Sequence, residues 1–196
     1  NLNKNISNTL LTVLIPCYNE NNTIEQIVKK VINAYPKNKQ IVIIDDFSND
    51  GTVEKLIKLE KKVDHIIFRK INGGKGAALR DGIKVAKGDI IIFQDADLEY
   101  NPDEYLKVIQ PIIDGYADVV YGSRFSSGEL RRVIFFWHRV ANGILTLMSN
   151  MFTNLNLTDM ETCFKAFKTS VLKEIQISED RFGIEPEITA KISKKN

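Results

Sequence analysis

Two carboxylates, Asp95 and Asp97, stand one residue apart directly after the apolar run 90–93, which is typical of a buried β-strand. Two carboxylates at the end of a strand can share a hard divalent cation, because such ions prefer oxygen ligands. Mg²⁺ usually takes its other ligands from water and substrate phosphates, so this pair suits a site that binds a diphosphate. Asp-x-Asp alone is common in surface loops, and it is the preceding strand that makes the pattern informative.

Two more polar clusters follow predicted strands. Residues 16–20 follow the first strand and residues 45–51 follow the second. Ligands bind outside the carboxyl ends of the strands in an open α/β sheet. Asp and Asn at such places are also common turn formers and helix caps, and for any one cluster alone we weigh the two interpretations equally. Three clusters at three strand ends favour a binding site.

The stretch Asn72-Gly73-Gly74-Lys75-Gly76 is rich in glycine and precedes a predicted helix. It differs from a P-loop because no Ser or Thr follows the lysine, and from the dinucleotide fingerprint because a third, correctly spaced glycine is lacking. Two interpretations stay open. Either the backbone approaches a nucleotide or diphosphate closely, with Lys75 beside it, or the glycines only form a tight turn.

Short β-branched runs alternate with amphipathic helical patterns through the first half of the chain, which predicts a parallel sheet with crossover helices. The predicted strands cover residues 11–15, 41–44, 65–68, 89–93, 118–121 and 163–167. Pro111 is expected to kink or shorten the helix that begins at residue 101. The segment 131–152 carries an apolar stripe at helical spacing. We predict one α/β domain over residues 1–196, with 1–9 as a flexible arm.

Bulk composition excludes several classes of function. The chain has 196 residues and a formal net charge of +2, too small to attract nucleic acid as a whole molecule. Two cysteines and two histidines make a Cys/His zinc site untenable and favour a reducing, cytosolic setting. The sequence holds no apolar run of about 18 residues that would span a bilayer. The missing initiator Met and the abrupt end at 194–196 predict a longer natural chain, truncated at the C-terminus.

Five motifs in order carry a family resemblance, and they occupy residues 15–20, 45–52, 72–76, 95–97 and 122–125. Together they resemble family-two inverting glycosyltransferases, in particular the dolichyl-phosphate mannosyltransferase and polyprenyl-phosphate glycosyltransferase group. The likeness runs from about residue 11 to residue 190, and residues 159–165 and 182–187 resemble two later motifs of that branch. It implies a GT-A fold, with a mostly parallel central sheet flanked by helices and a Rossmann-like half that binds the nucleotide sugar.

The resemblance also implies roles for individual residues. The nucleoside pocket would be lined by Pro16, Tyr18, Glu20 and Asp46. An Mg²⁺ or Mn²⁺ ion and the diphosphate would be held by Asp95 and Asp97, with Glu99 as a third ligand. The donor phosphates would face Arg124, and the acceptor phosphate would bind one of Arg131, Arg132 and Arg139. Lys75 joins this set of substrate-binding candidates, and Asp97, Arg124 and Asp159 are the candidate catalytic residues.

The implied reaction passes a hexose from GDP-mannose or UDP-glucose to a polyprenyl or dolichyl phosphate, with inversion. Such an acceptor already carries an anionic oxygen at neutral pH, so the site needs no general base. The site instead has to position the acceptor phosphate against the anomeric carbon and to stabilise the charge of the leaving nucleoside diphosphate. We expect a protein that binds peripherally at the cytoplasmic face of a membrane. Segment 131–152 is then either ordinary core or an interfacial helix with Phe135, Phe136 and Trp137 among the headgroups.

Three alternatives remain. A relative that glycosylates a sugar hydroxyl needs a carboxylate base, for which Asp159 or the pair Glu179-Asp180 is available. A nucleotidyltransferase would carry a Gly-rich basic loop after its first strand, whereas residues 16–20 contain no glycine, lysine or arginine. An inactive nucleotide-sugar-binding module is disfavoured by the intact pair Asp95 and Asp97.

Overall fold

The structure, a computed structural model, describes residues 6–124 and 136–195. Its six strands are β1 (Leu11–Cys17), β2 (Lys39–Asp45), β3 (His65–Phe68), β4 (Ile90–Phe93), β5 (Val119–Tyr121) and β6 (Lys165–Lys168). Its helices are α1 (Ile24–Asn33), α2 (Thr52–Leu59), α3 (Lys75–Val85), α4 (Tyr105–Ile113), α5 (Phe136–Thr153), α6 (Thr169–Lys173) and α7 (Ile184–Ser193), with short 3₁₀ turns at Glu60–Lys62 and Pro102–Glu104. These bounds confirm the predicted alternation of strands and helices.

The strands form one sheet in the order β3-β2-β1-β4-β6-β5. The first four are parallel, while β6 pairs antiparallel with both β4 and β5. The chain therefore moves outward from β1 to β3 and then returns to the other side of β1 to form β4. Such a reversal opens a crevice at the carboxyl ends of β1 and β4, where α/β sheets bind their ligands. The mostly parallel α/β sheet agrees with the sequence prediction.

Apolar burial on both faces holds this sheet in place. Every residue of β1 and β4 is buried, and helix α1 packs Ile24, Ile27, Val28 and Val31 against the sheet at the spacing of one helical face. Helix α4 continues two residues past Pro111, so the proline lies within its last turn. In the predicted N-terminal arm, residues 6–8 form a helical turn and Ile6 is buried.

Helix α5 has an unusual distribution of side chains. Its buried residues, Asn142 and Thr146, are polar. Its large apolar residues are exposed, among them Phe136, Trp137, Ile144, Leu147, Met151 and Phe152. Hydrogen bonds fasten it to the domain: Asn142 donates to Asp159, and the Met160 backbone N–H donates to the Thr146 hydroxyl (3.1 Å). In the described part of the chain, no helix is long and apolar enough to cross a bilayer.

Candidate functional site

A cleft of about 440 Å³ lies at the carboxyl ends of β1, β2 and β4. It is lined by Pro16, Cys17, Tyr18, Glu20, Asp46, Asn72, Gly74, Lys75, Ala78, Asp95, Ala96, Asp97, Arg181 and Phe182. Seven of the residues singled out from the sequence are therefore brought together on one surface. Among the other candidates that the structure describes, Glu99, Arg124, Arg139 and Asp159 are outside this lining.

Negative charge is concentrated on one wall of the cleft, where Glu20, Asp95 and Asp97 face one another. Burial raises the pKa of the Glu20 carboxyl, and the charges of Asp97 and Asp95 raise it further, against the hydrogen bond that the Thr23 hydroxyl donates to it. Asp97 Oδ1 accepts a hydrogen bond from the Glu99 backbone N–H at 2.9 Å, which fixes its loop. A bound cation would relieve this crowding of carboxylates.

The carboxylate oxygens on this wall suit a hard divalent cation that completes its coordination with substrate oxygens. Within residues 6–124 and 136–195, no group of three or more His, Cys, Asp or Glu side chains is arranged to hold a metal. Glu99, the predicted third ligand, instead has Oε1 3.8 Å from Arg124 Nη1. Asp95 and Asp97 are thus the candidate ligands, and Mg²⁺ is commonly bound by one or two carboxylates plus phosphate oxygens.

Lys75 places a positive charge against the carboxylate pair. Its Nζ lies 3.1 Å from Asp95 Oδ1 and 3.2 Å from Glu185 Oε1. Burial alone would lower the pKa of this ammonium, but the surrounding ionisable groups Cys163, Asp95 and Glu185 outweigh burial and raise the pKa well above its usual value. Lys75 therefore contributes a positive charge to the wall of the cleft, although most of its side chain is buried.

Asp46 holds the glycine-rich loop in place. Its carboxylate accepts hydrogen bonds from the backbone N–H groups of Gly73 (3.0 Å) and Gly74 (2.6 Å) and forms an ion pair with Arg69. The Asn72 side chain also donates to the Asp46 backbone carbonyl at 3.1 Å. Asp46 lines the cleft as the resemblance implies, yet both of its oxygens are already bonded. These bonds fix the glycine-rich loop at the edge of the cleft.

The glycines of this loop allow a close approach between two parts of the protein. Gly74 has a positive φ of 92°, and the Ala77 N–H donates to the Asp180 carbonyl at 3.0 Å. A Cβ on Gly76 would overlap the Glu179 carbonyl oxygen. The loop thus packs against residues 179–181, and this contact places Arg181 and the adjacent Phe182 at the cleft. The glycines signal a close approach in the sequence, but nothing in the sequence identifies the partner segment.

Replacing Gly76 with Ala is therefore expected to destabilise the protein by about 2–4 kcal/mol, because the contacting atom belongs to the backbone and cannot swing away. The free energy of unfolding in urea measures the effect. Gly143→Ala is the matched control: Gly143 lies inside helix α5, and an added Cβ there meets nothing within 4 Å. That variant should be unchanged or more stable by about 0.5–1 kcal/mol. Equal unfolding curves for the two variants would contradict the close contact.

Arg124 and Asp159 form a bidentate ion pair beside the cleft. Arg124 Nε donates to Asp159 Oδ2 and Nη2 donates to Oδ1, both at 2.8 Å, and the Arg124 backbone N–H adds a bond of 3.0 Å. The hydrogen bonds that the guanidinium donates to Asp159 raise the pKa of Arg124 despite its partial burial. Asn142 Nδ2 donates a further bond to Asp159 Oδ1 at 3.1 Å. The Asp159 carboxylate is fully buried and saturated with donors.

The candidates for the acceptor phosphate are only partly placed. Arg131 and Arg132 lie outside the described residues, and Arg139 is exposed on helix α5. Of the alternative bases, Asp180 forms an ion pair with Arg80. Which arginine binds an acceptor phosphate therefore stays a prediction.

Comparison with known sequences finds that the family model for glycosyl transferase family 2 matches residues 12–176. The dolichol-phosphate mannosyltransferase of Pyrococcus furiosus is 30% identical over 185 residues, covering 92% of this chain and 52% of the relative. The UDP-N-acetylglucosamine–dolichyl-phosphate N-acetylglucosaminyltransferase of Methanococcus voltae is also 30% identical, covering 86% of this chain and 73% of the relative. The chain thus spans about half the length of the Pyrococcus relative.

Solved structures share the architecture. Glucosyl-3-phosphoglycerate synthase from Mycobacterium tuberculosis, in complex with Mn²⁺, UDP and glucosyl-3-phosphoglycerate, superposes with a TM-score of 0.72 at 17% identity, over 94% of this chain and 65% of that one. S. aureus TarS superposes with a TM-score of 0.65 at 24% identity, over 93% of this chain and 54% of that one. These likenesses concern the fold alone, and they confirm the predicted GT-A architecture.

Proposed function

The chain belongs to glycosyl transferase family 2, and from that premise we propose that it transfers a hexose from a nucleoside diphosphate sugar to a polyprenyl or dolichyl phosphate, inverting the anomeric centre. The observation that carries the proposal is the cleft itself, which unites the carboxylate pair Asp95 and Asp97 with the charged Lys75 and the wall formed by residues 16–20. The names of its relatives in Pyrococcus and Methanococcus, which specify dolichyl phosphate, support the choice of acceptor.

The donor would lie along the cleft from β1 towards β4. Pro16, Tyr18 and Glu20 form the wall for the nucleoside, and the ring of Tyr18 is 48% exposed, so it is available to stack on a base. Asp95 and Asp97 would hold Mg²⁺ or Mn²⁺, which when bound supplies charge neutralisation for the diphosphate leaving group. Lys75 adds a fixed positive charge beside the same phosphates.

The acceptor side needs positioning more than proton transfer. A phosphate oxygen is anionic at neutral pH, so it can attack the anomeric carbon without a base. This agrees with the state of Asp159, whose carboxylate is buried and saturated by Arg124 and Asn142. Asp180, ion-paired with Arg80, is similarly engaged. These contacts favour a phosphate acceptor over a sugar hydroxyl, with one of Arg131, Arg132 and Arg139 to receive the phosphate.

Helix α5 would bring the domain to its lipid substrate. Its exposed apolar side chains, including Trp137 (74% exposed) and Phe152 (85% exposed), suit the headgroup region of a bilayer. The buried polar residues of the same helix keep it attached to the domain from the other side. In this proposal the protein works as a peripheral enzyme at the cytoplasmic face of a membrane, in keeping with its two free cysteines.

Anionic vesicles that contain a polyprenyl phosphate test the proposal directly. The purified protein is incubated with GDP-mannose or UDP-glucose and Mg²⁺ or Mn²⁺, and labelled lipid is measured after the vesicles are floated through a density gradient. We expect one donor to label the lipid phosphate and the protein to float with the vesicles. Vesicles carrying the unphosphorylated polyprenol should stay unlabelled. Labelling of the alcohol would favour a hydroxyl acceptor, and donor binding without transfer would favour an inactive module.

A further inference from the structure

Four side chains of alternating charge run from the protein core to the cleft, in the order Lys165, Glu185, Lys75, Asp95. The Lys165 ammonium is ion-paired with Glu185 Oε2, and Glu185 Oε1 lies 3.2 Å from Lys75 Nζ. Lys75 Nζ in turn lies 3.1 Å from Asp95 Oδ1 and 3.3 Å from Oδ2. The series therefore ends on a carboxylate that we identify as a candidate metal ligand.

The inner half of this series is rigidly held. The side chain of Lys165 is completely buried, and that of Glu185 is only 4% exposed. Lys165 Nζ also donates to the Thr162 carbonyl and lies 4.8 Å from the centre of the Tyr121 ring. Glu185 stands in the first turn of α7, where the helix dipole stabilises a negative charge. Glu185 is therefore a fixed anion that holds the Lys75 ammonium at the cleft wall.

The outer half of the series, Lys75 and Asp95, lies where a metal ion would bind. Asp95 already forms an ion pair with Lys75. In the nucleotide-free protein, a divalent cation must therefore compete with the Lys75 ammonium for Asp95, one of the two candidate ligands. A nucleoside diphosphate changes this balance, because its oxygens give both Lys75 and the cation new anionic partners. With a diphosphate bound, Lys75 would have an alternative partner to Asp95, and Asp95 and Asp97 would hold the cation together with phosphate oxygens.

We propose that Lys75, positioned by the buried pair Glu185 and Lys165, is a resident counter-ion of Asp95 that weakens metal binding to the free protein and makes it depend on the diphosphate of the donor. The inference rests on the proposed function, since it takes a nucleoside diphosphate to be the ligand of the cleft. Lys75 acts here as a positioning residue towards the metal site, in addition to contacting the donor.

The test is the dissociation constant of Mn²⁺, measured by electron paramagnetic resonance of the free ion, for the wild type and for Lys75→Gln. Without nucleotide, the Gln variant should bind Mn²⁺ about tenfold more tightly, because a unit positive charge about 3 Å from Asp95 has been removed. With GDP or UDP, the wild type should tighten strongly and the variant much less. Folding should survive, because Glu185 keeps Lys165 as its partner and Asp95 is partly exposed.

Two further variants separate this effect from a general change in charge. Lys84→Gln removes the same charge from the same helix α3, but Lys84 is 72% exposed and pairs with Asp81, so Mn²⁺ binding should stay at the wild-type value. Lys75→Arg keeps the positive charge and should keep the weak binding. Thermal unfolding of each variant verifies that the fold is intact.

The outcomes for the inference and for the proposed function are distinguishable. If Lys75→Gln binds Mn²⁺ without nucleotide no more tightly than the wild type, the counter-ion role is wrong, whatever the enzyme transfers. If the variant tightens as expected but neither GDP nor UDP alters Mn²⁺ binding to the wild type, the hold of Lys75 on Asp95 is supported, and the nucleoside diphosphate donor is contradicted.

Discussion

Replacing Asp97 with Asn will lower sugar transfer by about a thousandfold, while the temperature of thermal unfolding stays within about 2 °C of the wild type. The side chain is exposed at the cleft, and the hydrogen bond that its Oδ1 accepts from the Glu99 N–H can also be accepted by an amide oxygen. The substitution thus removes a negative charge and a candidate metal ligand but leaves the loop intact. Initial rates at saturating Mg²⁺ measure the loss.

The matched control is Asp103→Asn, which removes one carboxylate from an exposed position in the neighbouring 3₁₀ turn. That variant should transfer sugar at the wild-type rate, because Asp103 does not line the cleft. Near-normal turnover of Asp97→Asn at saturating Mg²⁺ would remove the basis for assigning the carboxylate pair to the reaction.

Replacing Asp159 with Ala is expected to cost about 3 kcal/mol of stability and to abolish transfer. The substitution strips Arg124 of a bidentate partner and leaves the Asn142 amide without the acceptor that it has in the wild type. The energetic loss follows from the complete burial of the carboxylate, and the loss of activity follows from the release of Arg124. Urea unfolding and initial rates give the two quantities.

Asp159→Asn separates a positioning role from that of a general base. If Asp159 positions Arg124, the new amide group opposes the guanidinium, and stability falls together with activity. A base would in addition give the wild-type pH–rate profile a limb that the Asn variant lacks, whereas a positioning residue gives none. Asp118→Asn provides the reference, since Asp118 forms an ion pair with Lys168 on the surface (3.4 Å, 64% exposed), where the expected cost is below about 1 kcal/mol.

The central strands could be predicted from the sequence because burial on both faces demands continuous apolar runs. β1, β2 and β4 appear where such runs occur, with ends that differ from the prediction by at most two residues. The order of the last strands could not be predicted. β6 inserts antiparallel between β4 and β5, and this pairing depends on contacts between residues 119–121 and 165–168 that have no local signal.

The candidate site divides in the same way. Asp95 and Asp97 could be found because a strand end followed by carboxylates has a chemical meaning by itself. Lys165 could not, because a lysine between Phe164 and Ala166 suggests the solvent face of a strand, whereas its side chain is completely buried against Glu185. Arg181 and Phe182 reach the cleft only through the contact of their segment with the glycine-rich loop. The roles of Lys165, Arg181 and Phe182 depend on partners distant in the sequence, so they could be recognised only in the folded structure.

Helix α5 joins the domain through polar contacts, and this has a consequence for how the protein responds to its surroundings. Denaturants act in proportion to the surface that a transition newly exposes, and separating α5 would expose little apolar surface of the helix itself, because its large apolar side chains are already exposed. Its attachment instead depends on directional bonds at Asn142 and Thr146. If the outer face meets lipid as proposed, the bonds at Asn142 and Thr146 lie on the opposite face, where they would keep the geometry around Asp159 the same in water and at a membrane.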